Sequence, residues 1–426
     1  PNVLWVEGWH EVDKGVLEFN GKTKDKTIYI APGSVLNARI DFAFGAKNCK
    51  VLGLGAIVDP FENIYEYDIT YGGSEGGHTM VHLYGYDHLY DGPVILDART
   101  FNITGCGNNI TVRNAKILST MMTTDGISLF NGENYDVDHC YIYCGDNAIV
   151  YSTNDNPGKG SVNYNDITIG TTCASIFPQG HNEGTLLENI YIFRSNDGII
   201  NHRYNPSGGQ YRVNMTFKNL DCVDVINYPR FLYLNNMGLS TEKYMTFENV
   251  TLPSASASTD PHASNIAAGV TKNMLVRLSL SSGVPTGNYT LNFTNVYMNG
   301  VLLDKQEKAV LNVDTLPEGA TMTYNFSVKD NGYTEVKKNI HTVNYTAPGK
   351  VYIGTFLAHF NGDVIVEGGT FYLPADEILT LLRTSVKPST VTKNGKAYIA
   401  HTTLKSSGAA KNLLLHTQKI QGGIHL

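Results

Sequence analysis

One short pattern recurs through most of the chain: polar, apolar, polar, apolar, two or three small or polar residues, then apolar again. It is seen in Asn109-Ile110-Thr111-Val112-Arg113-Asn114-Ala115-Lys116-Ile117, in Tyr135–Ile142 and in Asp166-Ile167-Thr168-Ile169. Leu187–Ile192, Met215–Leu220, Met245–Val250 and Leu291–Val296 repeat it. With Val112, Val137, Ile169, Ile190, Phe217 and Phe247 as markers, the steps are 25, 32, 21, 27 and 30 residues. Irregular steps of this size, each with a short strand, predict stacked coils joined by loops of varying length, an all-β parallel β-helix. A β-sandwich needs turns every ~8–12 residues, and no regular Asn-Gly or Asp-Gly set supplies them. The coil stack also explains the apolar positions, because each coil buries its Val, Ile and Phe only against the next.

The same reading organises the flanks. Val3–Val6, Gly15–Phe19 and Lys26–Leu36, broken at Pro32-Gly33, read as opening strands, and Cys49–Val58 continues them. The Ser, Ala, Thr and Pro-rich stretch 254–265 reads as a surface loop. The expected organisation is a β-helix domain over 1–314, a connector or cap over 315–349, and a small C-terminal α+β module over 350–426. In that module Phe371–Leu382 reads as a strand, a Pro turn and an amphipathic helix with an acidic start, and Lys396–Ile399 as a returning strand.

Composition excludes some functions. Lys+Arg 32 against Asp+Glu 39 gives a net charge of −7, so no nucleic-acid partner is expected, since phosphates demand a basic face. No run approaches the ~18 apolar residues of a membrane span. The 26 Tyr offer flat apolar faces with polar edges, suited to sugars. Cys49, Cys106, Cys140, Cys144, Cys173 and Cys222 lack paired Cys-x-x-Cys spacing; they are expected as buried thiols, with a disulfide as the alternative, and no metal or cofactor is expected. Asn-x-Ser/Thr sequons at Asn102, Asn109, Asn214, Asn249, Asn288, Asn292, Asn325 and Asn344 suit a secreted or cell-surface protein, although Asn and Thr are also common at coil turns. The chain begins at Pro1, and a leader peptide or upstream domain is expected to have been removed.

The candidate site is Thr123-Thr124-Asp125-Gly126 together with Cys144-Gly145-Asp146-Asn147-Ala148-Ile149. Asp125 and Asp146 are 21 residues apart, near one coil, and neighbouring strands lie about 4.8 Å apart, so the two carboxyl groups share a face. His181 and Arg203 follow at steps of 35 and 22. Glycan hydrolysis needs such a carboxyl pair, one protonated for the leaving oxygen and one ionised; repulsion between close carboxylates raises one pKa and supplies the acid. Taken singly, Asp125-Gly126 and Gly145-Asp146-Asn147 are ordinary turns, His181 a surface histidine and Arg203 the partner of an acid. At coil spacing they read as one groove.

Thr-Thr-Asp-Gly, Gly-Asp-Asn, Gly180-His181-Asn182 and Arg203-Tyr204-Asn205 resemble, in order, the Asn-Thr-Asp, Gly-Asp-Asp, Gly-His-Gly and Arg-x-Lys motifs of the polygalacturonase family. The chain is also similar to the dextranase and isopullulanase family through Ile30–Val35, Asp146–Ile149 with Tyr151-Ser152, and Val296–Gly300. The likeness covers roughly residues 20–305 and implies a right-handed β-helix and an inverting glycoside hydrolase acting on a polysaccharide or oligosaccharide. It implies Asp146 as general acid, Asp125 as base, and His181, Arg203 and Tyr204 as substrate-binding residues. Both families place a second base carboxylate where this chain has Asn147. Without a Lys after Arg203, polygalacturonate loses a cationic partner, and a neutral glycan is favoured. The C-terminal module resembles stalk modules of Gram-positive cell-surface proteins. Two other functions are carried forward: a polysaccharide lyase, needing calcium carboxylates and a cationic base, and a non-catalytic glycan-binding β-helix of the adhesin or tailspike kind.

Overall fold

This computed structural model describes residues 2–61, 79–153, 161–203, 213–222, 225, 230–235, 243–252, 274–279, 288–298, 300–313, 315–316, 318–330, 351–353, 356–358, 365–367, 370–382, 387–406, 419–420 and 423–424. The expected loop at 254–265 lies outside them. The chain divides into two compact units, Pro1–Glu335 and Val336–Leu426.

The first unit is a stack of parallel coils whose inward residues form three ladders. The first runs Ile40, Val81, Ile103, Ile127, Ile149, Ile176, Ile200, Leu232, Val276 and Leu311. The second runs Ile28, Val51, Tyr90, Val112, Val137, Tyr164, Leu187, Phe217, Phe247, Phe293 and Phe326. The third runs Leu36, Ile57, Ile95, Ile117, Ile142, Ile169, Ile192 and Cys222. Strand Ile127–Cys144 contributes to all three, bending at corners as it passes from one to the next.

The ladders correct the marker register. Val112 and Val137 are paired, as are Phe217 and Phe247, but the partner of Val137 is Tyr164, while Ile169 lies against Ile142. Ile190 lies against Ile167, and Phe217 against Leu187. The cause is the two-residue period of a strand: inward residues alternate, so a short apolar pattern matches its neighbour equally well when slipped along. The coils also continue past Asp314, since Thr321–Ser327 pairs in parallel with Asn288–Met298.

One corner is held by asparagine. Asn189, Asn219, Asn249 and Asn295 all have positive φ, between 53° and 57°, a conformation Asn tolerates better than most residues. Each donates its side-chain amide one coil back: Asn295 to Asn249 (3.1 Å), Asn249 to Asn219 (2.9 Å), Asn219 to Asn189 (3.0 Å) and Asn189 to Asn165 (2.8 Å). The Asn before Ile, Leu or Val in each repeat is therefore a corner residue. Asn249 and Asn102 are buried and hydrogen-bonded, so these two sequons serve the interior. Inside the same turns, Phe217, Phe247, Phe293 and Phe326 stack with successive ring centroids 5.1 Å apart, close to the interstrand spacing. All six cysteines are free thiols.

The second unit holds an antiparallel sheet in the order Ile365–Glu367, Thr370–Pro374, Lys396–Ala400 and Val391–Lys393, with helices Ala375–Leu382 and His401–Ser406. Asn394 and Gly395, at φ 49° and 74°, close its hairpin. Leu373, Ile378, Tyr398, Ile399 and Leu404 are buried in it. No helix among the described residues is long and apolar enough to cross a membrane.

Candidate active site

Residues 123–126 and 145–148 are the corners through which two consecutive coils pass from the third ladder into the first. These corners pack closely. Thr124 Oγ1 donates to the Met121 carbonyl at 2.6 Å and accepts the Gly145 N–H at 2.9 Å. A Cβ on Gly145 would stand 1.9 Å from the Met121 oxygen, and one on Gly126 2.3 Å from that of Ala148. Glycine at both places is thus required by the approach of one coil to the next.

The two carboxyl groups meet over Asn147. Its backbone N–H donates to Oδ1 of Asp146 at 2.9 Å and to Oδ1 of Asp125 at 3.1 Å, and its Nδ2 donates to the same two atoms at 2.9 and 3.4 Å. Sharing one N–H holds the carboxyl oxygens within about 6 Å of each other. Ser128 Oγ donates to the other oxygen of Asp125 at 3.3 Å. Asp125 is only 8% exposed. Burial, then the charge of Asp146, pushes its carboxyl up to about 7, against the hydrogen bonds from Asn147 and Ser128. The register puts Asn147 level with Asp125 and one coil on, both two residues ahead of the paired Ile127 and Ile149. Asn147 Oδ1 is buried and has no hydrogen-bond partner among the described residues.

Level with Asp146, the next two coils carry Cys173 and then Asp197, each three residues ahead of its first-ladder isoleucine. The Cys173 thiol hydrogen-bonds the Asp146 carboxyl; burial, then the charge of Asp146, raises it well above the ordinary thiol range, so it is a neutral group here and not a nucleophile. Asp197 accepts from Arg230 Nη2 at 2.5 Å and from Asn201 Nδ2 at 3.3 Å. The Arg230 guanidinium lies over the Tyr233 ring, 4.0 Å from its centroid. Burial raises the Asp197 carboxyl even against Arg230. Sequence reasoning missed Asp197, Asn201, Arg230 and Tyr233. A signal was available: Asp197-Gly198-Ile199 repeats Asp125-Gly126-Ile127.

Of the residues expected from sequence, Asp125, Asp146 and Asn147 come together. His181 does not join them: it follows Cys173 by eight residues, and its carbonyl accepts the Thr153 N–H at 2.7 Å, at the opposite end of the first-ladder strands. Arg203 closes strand Ile200–Arg203, paired with Asn235 at that same far end. Tyr204 lies outside the described residues. Among the described residues, no group of three or more His, Cys, Asp and Glu side chains is placed to hold a metal ion.

No protein-family model matches the sequence, and no curated protein matches it. Solved structures do match. Dex49A from Penicillium minioluteum superposes with a TM-score of 0.53 at 17% identity over 76% of this chain. The first unit is a right-handed parallel β-helix. This β-helix spans 60% of the length of Dex49A, and at that identity the likeness is one of fold. A family 28 exopolygalacturonase from Yersinia enterocolitica (TM-score 0.43, 12% identity, 77% of this chain and 71% of that one) matches less well. So does an endo-xylogalacturonan hydrolase from Aspergillus tubingensis (0.35, 10%, 78% and 86%). All three neighbours of the β-helix are glycoside hydrolases.

Proposed function

We propose that the protein hydrolyses O-glycosidic bonds of a polysaccharide or oligosaccharide, with Asp146 as general acid and Asp125 as base. The observation that carries this reading is the Asp125–Asp146 pair bridged by one backbone N–H, with Asp125 held at about 7. Two carboxylates this close do not both ionise readily, so the pair retains one proton near neutral pH. In this arrangement Asp146, the more exposed partner, serves the leaving oxygen, and Asp125, held by Ser128 and Asn147, activates water as a base tuned near the working pH. The glycoside hydrolase Dex49A shares the fold. A polymeric substrate suits a secreted or cell-surface location.

A second arrangement of the same pair is favoured by its spacing. Carboxyl groups about 5–5.5 Å apart serve retaining hydrolases and about 6.5–9.5 Å inverting ones; the upper bound of about 6 Å set by the shared N–H is nearer the first. In that arrangement Asp125, with its raised pKa, is the acid, and Asp146, bound twice by Asn147, attacks the sugar.

Incubation with a panel of polysaccharides is expected to release reducing ends without unsaturated uronides. Asp146→Asn should lower kcat/KM by about 10²–10⁴-fold with an unchanged melting curve; full activity in that variant would remove Asp146 from either role. The anomer released first, read by proton NMR, separates the arrangements: inversion supports Asp125 as base, retention supports Asp146 as nucleophile.

A further inference from the structure

We propose that Asp197, Asn201, Arg230 and Tyr233 form a sugar subsite two coils from Asp146 that takes an uncharged unit of the glycan through its hydroxyl groups. The proposal rests on the hydrolase reading for its place beside the reacting bond, while the binding itself requires no turnover.

Placement is the first argument. Asp197 stands in the same row as Asp146 with only the Cys173 coil between, a separation of about 10 Å at two strand spacings. A chain laid along the stack over Asp146 therefore passes over Asp197. Chemistry is the second. Each Asp197 oxygen accepts one hydrogen bond, from Arg230 and from Asn201, leaving lone pairs for a hydroxyl. The guanidinium beside it donates in a fixed plane, which the Tyr233 ring beneath it holds in place. The carboxylate side chain is 31% exposed and its Arg230 partner 12%, so the group is held firmly yet remains reachable.

Charge selects the ligand. Arg230 is neutralised by Asp197, and the row carries Asp146 on the same edge, with Asp125 beside it. A uronate would bring a further anion to this edge, whereas a neutral sugar brings none. Burial also keeps the Asp197 carboxyl raised in spite of its ion pair. A pair whose burial is incompletely offset is poorly explained as a stabilising contact, since apolar residues fill such places at least as well.

The test is affinity electrophoresis in native gels containing dextran, xyloglucan, galactomannan or polygalacturonate, with the Asp146→Asn protein so that nothing is consumed. At least one neutral polymer should retard the parent and polygalacturonate should not. Adding Asp197→Asn should weaken retardation by the neutral polymer about tenfold and increase retardation by polygalacturonate, because Arg230 loses its neutralising carboxylate; an unfolded chain cannot give that gain. Tyr233→Ala should weaken the first without the second. Retardation of the parent by no neutral polymer, preference of the parent for polygalacturonate, or retardation unchanged in both added variants overturns the proposal. The two readings fail separately: Asp197-dependent retention without hydrolysis by the wild type removes the hydrolase and keeps the subsite, and hydrolysis with unaltered retention removes only the subsite.

Discussion

Asp125 shows how a corner residue acquires chemistry. Its backbone carbonyl serves the stack, accepting the Asn102 N–H at 3.0 Å and the Asn102 amide at 2.7 Å. Its side chain works against the stack, because a carboxyl at 8% exposure is costly to ionise. A native value of about 7 against about 3.9 in an unfolded chain means that the native state binds the extra proton between those limits. Stability from this group is therefore complete below about pH 4 and lost as pH rises toward 7, a penalty of about 4 kcal/mol. Asp125→Asn removes it. The variant should gain stability relative to wild type between pH 4 and pH 8, read as a widening difference in Tm; parallel curves would show that Asp125 ionises freely in the fold.

At the level of the element, each corner combines a local preference with a contact to the next coil. Asn249 has φ 57°, donates to Asn219 and accepts from Asn295. Alanine there loses both bonds and forces a Cβ-bearing residue without side-chain compensation into the left-handed region, costing about 1–2 kcal/mol for the backbone and about 1 kcal/mol for each bond. Glycine loses the bonds but not the conformation. Asn249→Ala should thus melt below Asn249→Gly, and both below wild type; equal melting temperatures would assign the whole cost to the amide ladder. The phenylalanine stack behind this corner adds about 0.5–1.5 kcal/mol per ring pair beyond burial, which is why a coil as long as Phe247 to Phe293 still returns to register.

At the scale of the whole molecule, the first unit is stabilised by the sum of its coil-on-coil contacts, and each unit carries its own core. Residues 1–335 contain all three ladders and every described residue of the site, and the second unit has a separate set of buried side chains. A chain ending at Glu335 is expected to keep the β-sheet circular dichroism and the glycan activity of the full chain. Loss of folding on that truncation would show that the C-terminal unit completes the stack.

The repeat, the all-β class and the pairing of Asp125 with Asp146 follow from the sequence alone, because stacking makes inward apolar residues recur at about coil length, and two carboxyl groups about one coil apart fall on neighbouring corners. The C-terminal strand, helix and returning strand are equally legible, since helical periodicity, a Pro turn and an acidic helix start are local signals. Register was decided only in three dimensions: Val137 meets Tyr164 and not Ile169 because alternating inward residues make a slipped match look as good as the true one. Spacing and the Gly180-His181 motif point His181 toward the site, but the coil beyond Asp146 presents Cys173 there instead. Asp197 and Arg230 are 33 residues apart in sequence and 2.5 Å apart in space, a pairing set by how far each loop departs before its coil returns. Hydrophobic periodicity constrains what faces inward. Which polar side chains meet on the outside depends on loop lengths and corners, and only the folded stack fixes those.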